Sequence, residues 1–266
     1  MSEQEVIREL TNDGILIVTL NRPDKMNAIN VGLRNGILAA VQETRSNDDI
    51  RVIVLTGNGR GFCAGADLSS GGPARSGEMV RGRADIVDKR GPADFIEALA
   101  NADVPLIGAI NGAAAGAGFG LALCCDIRIA SDQARLGSIF IKRGIGPDYG
   151  TSYWLPRLVG LPKAYELLYS GELLSADAAF EIGLVNRIVP HESLMEDTLE
   201  YARMIAKGPP LAYSFTRRSL VQSFDNDMRQ HLTLEWTQQI ELLSTKDAHE
   251  GFNAFLEKRE PKFSGH

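Results

Sequence analysis

The sequence predicts an α/β fold. Short apolar runs bounded by turn residues alternate with helix-period segments, two of those runs end in clusters of small residues, and from Leu194 onward the pattern is almost entirely helical. With 266 residues and 44% hydrophobic composition, the chain can bury one sizeable core and carry a smaller appendage.

Val6–Leu10 and Ile15–Leu20 are strand-like and joined through Asn12-Asp13-Gly14, a strong hairpin signal. Asn30 is placed to cap a helix in which Leu33, Ile37 and Val41 recur every four residues. Residues 52–55 read as a buried strand, followed by the small-residue turn Phe62-Cys63-Ala64-Gly65-Ala66-Asp67-Leu68. Residues 69–77 have loop composition, and a helix is expected from about Glu78 to Ala100, broken near Gly91-Pro92. Leu106–Ile110 is the next strand. The second turn, Asn111-Gly112-Ala113-Ala114-Ala115-Gly116-Ala117-Gly118, leads into a helix through Leu121 and Leu123. Residues 127–130 form a further strand. The helical C-terminal part is expected to begin near residue 200, with Pro209-Pro210 as a break, dividing the chain into 1–199 and 200–266. No internal repeat or low-complexity tail is present.

A net charge of −6 argues against a general nucleic-acid or anionic-membrane binder, yet leaves room for a local basic pocket that holds a phosphate. The mixed-charge run over residues 81–90 interleaves acids with bases and reads as a solvated helix face, with Val80, Ala84 and Val87 as its apolar side. Cys63, Cys124 and Cys125 are an odd set without metal-ligand spacing, which points to reduced thiols and a cytoplasmic protein. The acidic start, Met1-Ser2-Glu3-Gln4-Glu5, lacks the basic and apolar regions of a signal peptide. Residues 104–125 form an uncharged stretch of 22, long enough for a membrane helix. Pro105, Asn111 and the repeated Gly and Ala make it weakly apolar and divide it into strand, turn and helix.

Side chains as small as those of the two turns let a ligand approach the main chain and leave amide N–H groups bare. Two such amides converging on one carbonyl oxygen make an oxyanion hole, which stabilises an enolate or a tetrahedral oxyanion. Tight packing of strand-to-helix turns is the alternative use of the same residues.

With both turns placed, the chain resembles the crotonase family, the enoyl-CoA hydratase/isomerase superfamily, over nearly its whole length. The landmarks are Asn21-Arg22-Pro23 with Asn27-Ala28, the two turns, Cys125-Asp126-Ile127, Leu155-Pro156-Arg157, Gly183-Leu184-Val185 and Phe255-Leu256-Glu257-Lys258-Arg259. The resemblance implies a ClpP-like spiral of ββα units followed by a helical trimerisation region, assembled as a homotrimer or a dimer of trimers. It implies that the backbone N–H groups of Ala66 and Ala117 are the oxyanion donors and that the substrate is an acyl-CoA. The coenzyme A is then part of the substrate, with no metal or redox cofactor and no nucleic-acid or membrane partner.

A hydratase of this family uses two glutamates to handle water, and the matching positions here are Gly120 and Phe140, neither of which can move a proton. One acid stands nearby: Asp148, in Ile145-Gly146-Pro147-Asp148-Tyr149-Gly150. Its Pro-Asp-x-Gly setting resembles the branch of 1,2-epoxyphenylacetyl-CoA isomerase and Δ3,Δ2-enoyl-CoA isomerases, where one aspartate shuttles a proton between carbons. An apolar wall including Phe140 and Ile145 is expected to raise the pKa of this acid. Asp148 equally suits a turn after Pro147. Three rival readings share the pattern: a hydratase, a hydrolase or dehalogenase with Asp148 as nucleophile, and an acyl-CoA-binding paralogue without turnover. Against the dehalogenase, its pairing tryptophan is Phe140 here, and His191, His231, His249 and His266 all lie late in the chain.

For the coenzyme A, the resemblance points to backbone near Lys25 and Met26, and near Ala64, Gly65, Asp67 and Leu68, with Gly116 at the second turn. It also points to Lys258, which matches a residue that often reaches a phosphate, commonly across a subunit boundary; a solvated lysine at a helix end is the competing use. Phe140, Tyr149 and Trp154 are candidates for the acyl wall; for Tyr149 and Trp154 core packing is the competing use.

Overall fold

The computed structural model describes residues 4–70 and 92–266. β1 (Val6–Leu10) and β2 (Ile15–Leu20) form the expected hairpin, with Val6 opposite Leu20. Gly14 turns it at φ 77, where a side chain would strike Arg51 and the Asp49 carbonyl. α1 (Val31–Glu43) begins at Asn30, whose side-chain oxygen accepts the Leu33 N–H at 2.8 Å, and it buries Leu33, Ile37 and Val41.

Three units then alternate between two sheets. β3 (Val52–Gly57) passes to β4 (Gly61–Cys63), after which the described chain resumes before α2 (Ala93–Ala100). β5 (Leu106–Ile110) passes to β6 (Ala113–Ala115) and α3 (Ala117–Leu123). β7 (Ile127–Ser131) passes to β8 (Arg135–Gly137), then α4 (Thr151–Val159) and α5 (Leu161–Ser170). β9 (Leu174–Ser175), α6 (Ala176–Glu181) and β10 (Arg187–Val189) close this part. The long strands form one sheet in the order β1-β2-β3-β5-β7-β10, parallel after the first hairpin, and the short ones form a second, β4-β6-β8-β9. This is the expected α/β spiral of ββα units.

The central strands are apolar at most positions because both faces of the large sheet are covered. Leu16, Val18, Ile53, Leu55 and Leu106 face the main core with α1 and α3. Ile15, Val52, Val54, Ile107 and Ile129 face α7 (Leu194–Ala206), which contributes Leu194 and Ala202. Burying one such side chain contributes about 1.5–3 kcal/mol, so α7 is anchored to the sheet. The division expected near residue 200 falls inside this helix. α8 (Pro210–Gln222), α9 (Met228–Leu243) and α10 (Lys246–Glu257) follow, with the break at Pro209-Pro210 as expected.

Several expectations differ from the structure. β4 and β6 are strands of three residues at the two small-residue turns, and β8 is a third in a stretch where no element is expected. At three residues each they are too short to carry an alternation that would mark them. The loop expected over residues 69–77 is described only to a 3₁₀ turn at Leu68–Ser70. The rest of that loop, the helix start at Glu78, the charged run over 81–90 with Val80, Ala84 and Val87, and the break at Gly91 lie outside the described residues. The uncharged stretch 104–125 divides into strand, turn and helix as expected, with the unexpected β6 inside the turn, and among the described residues no helix is long and apolar enough to cross a membrane. Cys63, Cys124 and Cys125 are free and buried.

Candidate active site

The first turn is held by the loop after β2. Ala64 N–H donates to the Met26 carbonyl at 2.9 Å, Ile29 N–H to Gly65 at 2.7 Å, and Asp67 N–H to Ile29 at 2.9 Å. Gly65 has φ 113, a region closed to other residues, and among the described residues the Ala66 N–H has no hydrogen-bond acceptor. In the second turn Gly116 takes φ 55 and donates to Gly137 at 3.1 Å. Ala117 opens α3, where a first-turn N–H has no acceptor within the helix, and its N–H also lacks one among the described residues. Ala117 is only 1% exposed. An unmet buried N–H costs about 1–3 kcal/mol, so its survival in a core position asks for a reason.

The two turns are in contact. A Cβ on Gly118 would lie 2.0 Å from the Cys63 carbonyl oxygen, and one on Gly112 would lie 2.2 Å from the Arg60 carbonyl oxygen. A Cβ on Gly65 would lie 3.6 Å from the Ala117 nitrogen, which brings the residue beside Ala66 to the second bare N–H. Asn111 adds two bonds, accepting from Gly57 N–H at 3.2 Å and donating to Gly59 at 2.9 Å.

Asp148 stands at the start of α4. Its carbonyl accepts from Thr151 N–H at 3.0 Å, while Tyr149 (φ 51) and Gly150 (φ 72) are both left-handed. For tyrosine that conformation costs roughly 1–2 kcal/mol. Tyr149 lies directly on α3: a Cβ at Gly120 would sit 2.5 Å from the Tyr149 carbonyl oxygen and 2.6 Å from its Cβ. Gly120 is one helical turn beyond Ala117, so Asp148 is joined to the second turn through a neighbour in contact with the helix. Asp148 is exposed, yet desolvation by the surrounding protein raises its carboxyl above the ordinary 3.8, against a smaller opposing effect of its own backbone N–H. The Tyr149 hydroxyl is pushed up by burial first and then by the charge of Asp148, with Arg34 opposing.

Phe140 is buried, and its ring lies 3.9 Å from where a Gly116 Cβ would be. The apolar wall differs from the one expected, because Ile145 is 53% exposed. Ile139 lies beside Gly116 with Phe140, and Phe95 meets the Tyr149 ring edge-on at 6.1 Å. Tyr149 and Trp154 both pack against the main core, the packing alternative for these residues.

Lys25 is exposed beside Met26, whose carbonyl ties to Ala64, so both border the first turn. Leu68 is exposed and Ala64 half-buried. Asp67 is engaged structurally: it accepts from the Ser69 hydroxyl at 2.6 Å and pairs with Arg22 at 2.7 Å, which together hold its carboxyl well below the usual range. Lys258 is exposed and closes α10 as its left-handed C-cap at φ 55, while Glu260 and Pro261 line a surface cavity together with Asn12 and Gly14, beside the start of β2.

Two supporting residues are absent from the sequence reading of the site, although the Asn-Arg-Pro and Asn-Ala landmarks contain them. Arg22 also donates to the Ala28 carbonyl and pairs with Glu5. Asn27 is fully buried at φ 54, accepts from Arg22 N–H, and donates to the Asn58 and Gly61 carbonyls at 3.0 and 2.8 Å. Among the described residues no group of three or more His, Cys, Asp or Glu is placed to hold a metal ion.

The sequence profile described as enoyl-CoA hydratase/isomerase matches residues 10–266. The chain is 34% identical to 1,2-epoxyphenylacetyl-CoA isomerase of Escherichia coli K12, over 98% of each chain. It is 37% identical to 2,3-dehydroadipyl-CoA hydratase of the same strain, over 100% of each. Among solved structures, an enoyl-CoA hydratase/isomerase from Cupriavidus metallidurans superposes with a TM-score of 0.91 at 32% identity, covering 100% of this chain and 98% of the other. Matched along nearly its entire length in both sequence and fold, this chain belongs to the enoyl-CoA hydratase/isomerase family of the crotonase superfamily.

Proposed function

We propose that the protein is an enoyl-CoA isomerase that shifts a double bond by one-base proton transfer. The thioester oxygen accepts from the Ala66 and Ala117 N–H groups, and each such donor contributes ~2.7–4 kcal/mol in the transition state. Charge drawn onto that oxygen acidifies the α-carbon. The Asp148 carboxylate takes a proton there, and the resulting dienolate receives it back at the γ-carbon, or the reverse. A carboxyl pKa raised by desolvation suits this duty, since it makes the acid a better base toward the α-carbon proton.

The observation that carries the reading is the closure of position 120. Tyr149 fills the space into which a side chain there would project, so a second acid has no room, and Phe140 at the other position cannot titrate. Addition of water needs a group to activate it and a proton for the α-carbon, a division of labour that one acid serves less well. The coenzyme A would run past Lys25 and Met26 and the backbone of Ala64, Gly65, Asp67 and Leu68. Lys258 would reach it from a neighbouring protomer in a homotrimer or dimer of trimers, and the cytoplasm is the expected compartment.

A panel of 3-enoyl-, 2-enoyl- and aromatic-CoA thioesters, read by absorbance and mass spectrometry, tests this. Isomerisation gives a conjugated enoyl thioester of unchanged mass. Products carrying one added water, or free coenzyme A, as the only outcome would replace the isomerase with a hydratase or a hydrolase.

A further inference from the structure

We infer that Tyr149 is a specificity-determining residue that keeps water from the β-carbon, so that Asp148 moves protons without adding water; this rests on the isomerase reading above. The geometry comes from three contacts. The Tyr149 main chain and Cβ stand 2.5 and 2.6 Å from where a Gly120 Cβ would be, and the Thr151 hydroxyl stands 3.0 Å from the same point. The Tyr149 ring is fixed edge-on against Phe95, and Gly150 is held between Ile96 and Trp154, with Cβ approaches of 3.2 and 3.1 Å. The space beside Gly120 is thus taken by the main chain and Cβ of a residue held in an uncommon left-handed conformation, which persists only where the surroundings impose it.

The chemistry explains why that volume matters. A dienolate bound at the two amides is protonated at the α- or γ-carbon by the Asp148 acid. If a water molecule reaches the β-carbon of the conjugated product, the Asp148 carboxylate can instead take one of its protons. Its oxygen then bonds to the β-carbon, the double-bond electrons pass to the thioester oxygen, and the same proton is delivered to the α-carbon. The outcome is a 3-hydroxyacyl-CoA, with one water consumed and no other reactant required. The same acid serves both reactions, so access of water to the β-carbon decides between them.

The test compares product partition in the parent, Tyr149→Gly, Tyr149→Asn and Tyr149→Phe, each supplied with 3-enoyl-CoA in H2O and in D2O. Glycine and asparagine tolerate the left-handed backbone. We expect either small residue to raise the ratio of hydrated to isomerised product at least about ten-fold, a change of ~1.4 kcal/mol in relative barriers, while Tyr149→Phe keeps the parent ratio. In D2O the parent product is expected to retain mainly protium, because the transferred proton does not exchange. An unchanged ratio in the small-residue variants, a shift as large in Tyr149→Phe, or a fully deuterated γ-position in the parent overturns the inference. A parent that does not isomerise 3-enoyl-CoA at all overturns the isomerase reading instead, so the two failures are distinct.

Discussion

Asp148 pairs an ionisable group with surroundings that favour its neutral form, and two consequences follow at this single residue. Asp148→Asn is expected to reduce isomerase turnover by ~10²–10⁴-fold, the scale of a lost general base, while acyl-CoA affinity is preserved. Steady-state kinetics beside a binding titration checks this, and full activity in the variant would return Asp148 to turn-making. The folded protein holds this proton more tightly than the unfolded chain, so ionisation above pH 3.8 costs stability. Asparagine removes that cost, and the variant should melt no lower than the parent at pH 7. The parent kcat/KM should rise with pH along a limb displaced above the ordinary carboxyl range, and the variant should lose that limb. Asp67 has the opposite sign. Its carboxyl is depressed by Ser69 and Arg22, so the pair stabilises the fold above the unfolded value of 3.8, and this is lost as pH falls. Arg22 is 15% exposed and ties three segments together. Arg22→Met should therefore cost about 2–3 kcal/mol at pH 7, with the gap between its melting curve and the parent's narrowing below pH 3.8.

At the scale of elements, the site depends on how closely two turns approach. Gly118→Ala would place a Cβ 2.0 Å from a backbone oxygen that cannot rotate aside. The β4 and α3 ends must then separate, moving the Ala66 and Ala117 amides apart. The expected result is a loss of ~1–3 kcal/mol in denaturant titrations and at least ten-fold in turnover. Gly146, with nothing within 4 Å of its Cβ position, is the control, and Gly146→Ala should melt within ~0.5 kcal/mol of the parent. These elements differ in how plainly the residues announce them. Turn signals and apolar runs mark the hairpin, β5 and the cap at Asn30, because local chemistry there agrees with the final packing. Both turns are visible as small-residue clusters, and Asp148 as an acid in a defined setting. The short strands β4, β6 and β8 are silent, since the register that makes them strands is set by partners distant in the chain. Tyr149 against Gly120 is silent for the same reason: a glycine looks like a loss of function until its neighbour is known. The structural duty of Asp67 was hidden because its partner, Arg22, lies 45 residues earlier.

At the scale of the whole molecule, α9 is an element without an interior. A capping box at Asp227 and Gln230 starts it, yet none of its sixteen residues is buried. Met228, Leu232, Trp236, Ile240 and Leu243 recur at helical spacing and stay 41–81% exposed, with Phe252, Phe255 and Leu256 of α10 also open. An apolar surface of this extent marks an interaction site, and the oligomer proposed above would cover it. The same assembly bears on the coenzyme A, because Lys258 is proposed to reach it from a neighbouring protomer. Trp236→Glu places a charge on this face without emptying a core, so the fold should persist while sedimentation velocity reports a smaller particle. Coenzyme A affinity should then weaken although residue 236 is remote from the turns. A lost ammonium–phosphate contact of ~1.5–3 kcal/mol corresponds to about 10–100-fold. Lys258→Ala should weaken binding to the same degree and leave the assembly intact, which separates the two effects. A dissociated Trp236→Glu protein that binds coenzyme A as tightly as the parent would remove Lys258 from the binding site and leave α9 with a purely architectural task.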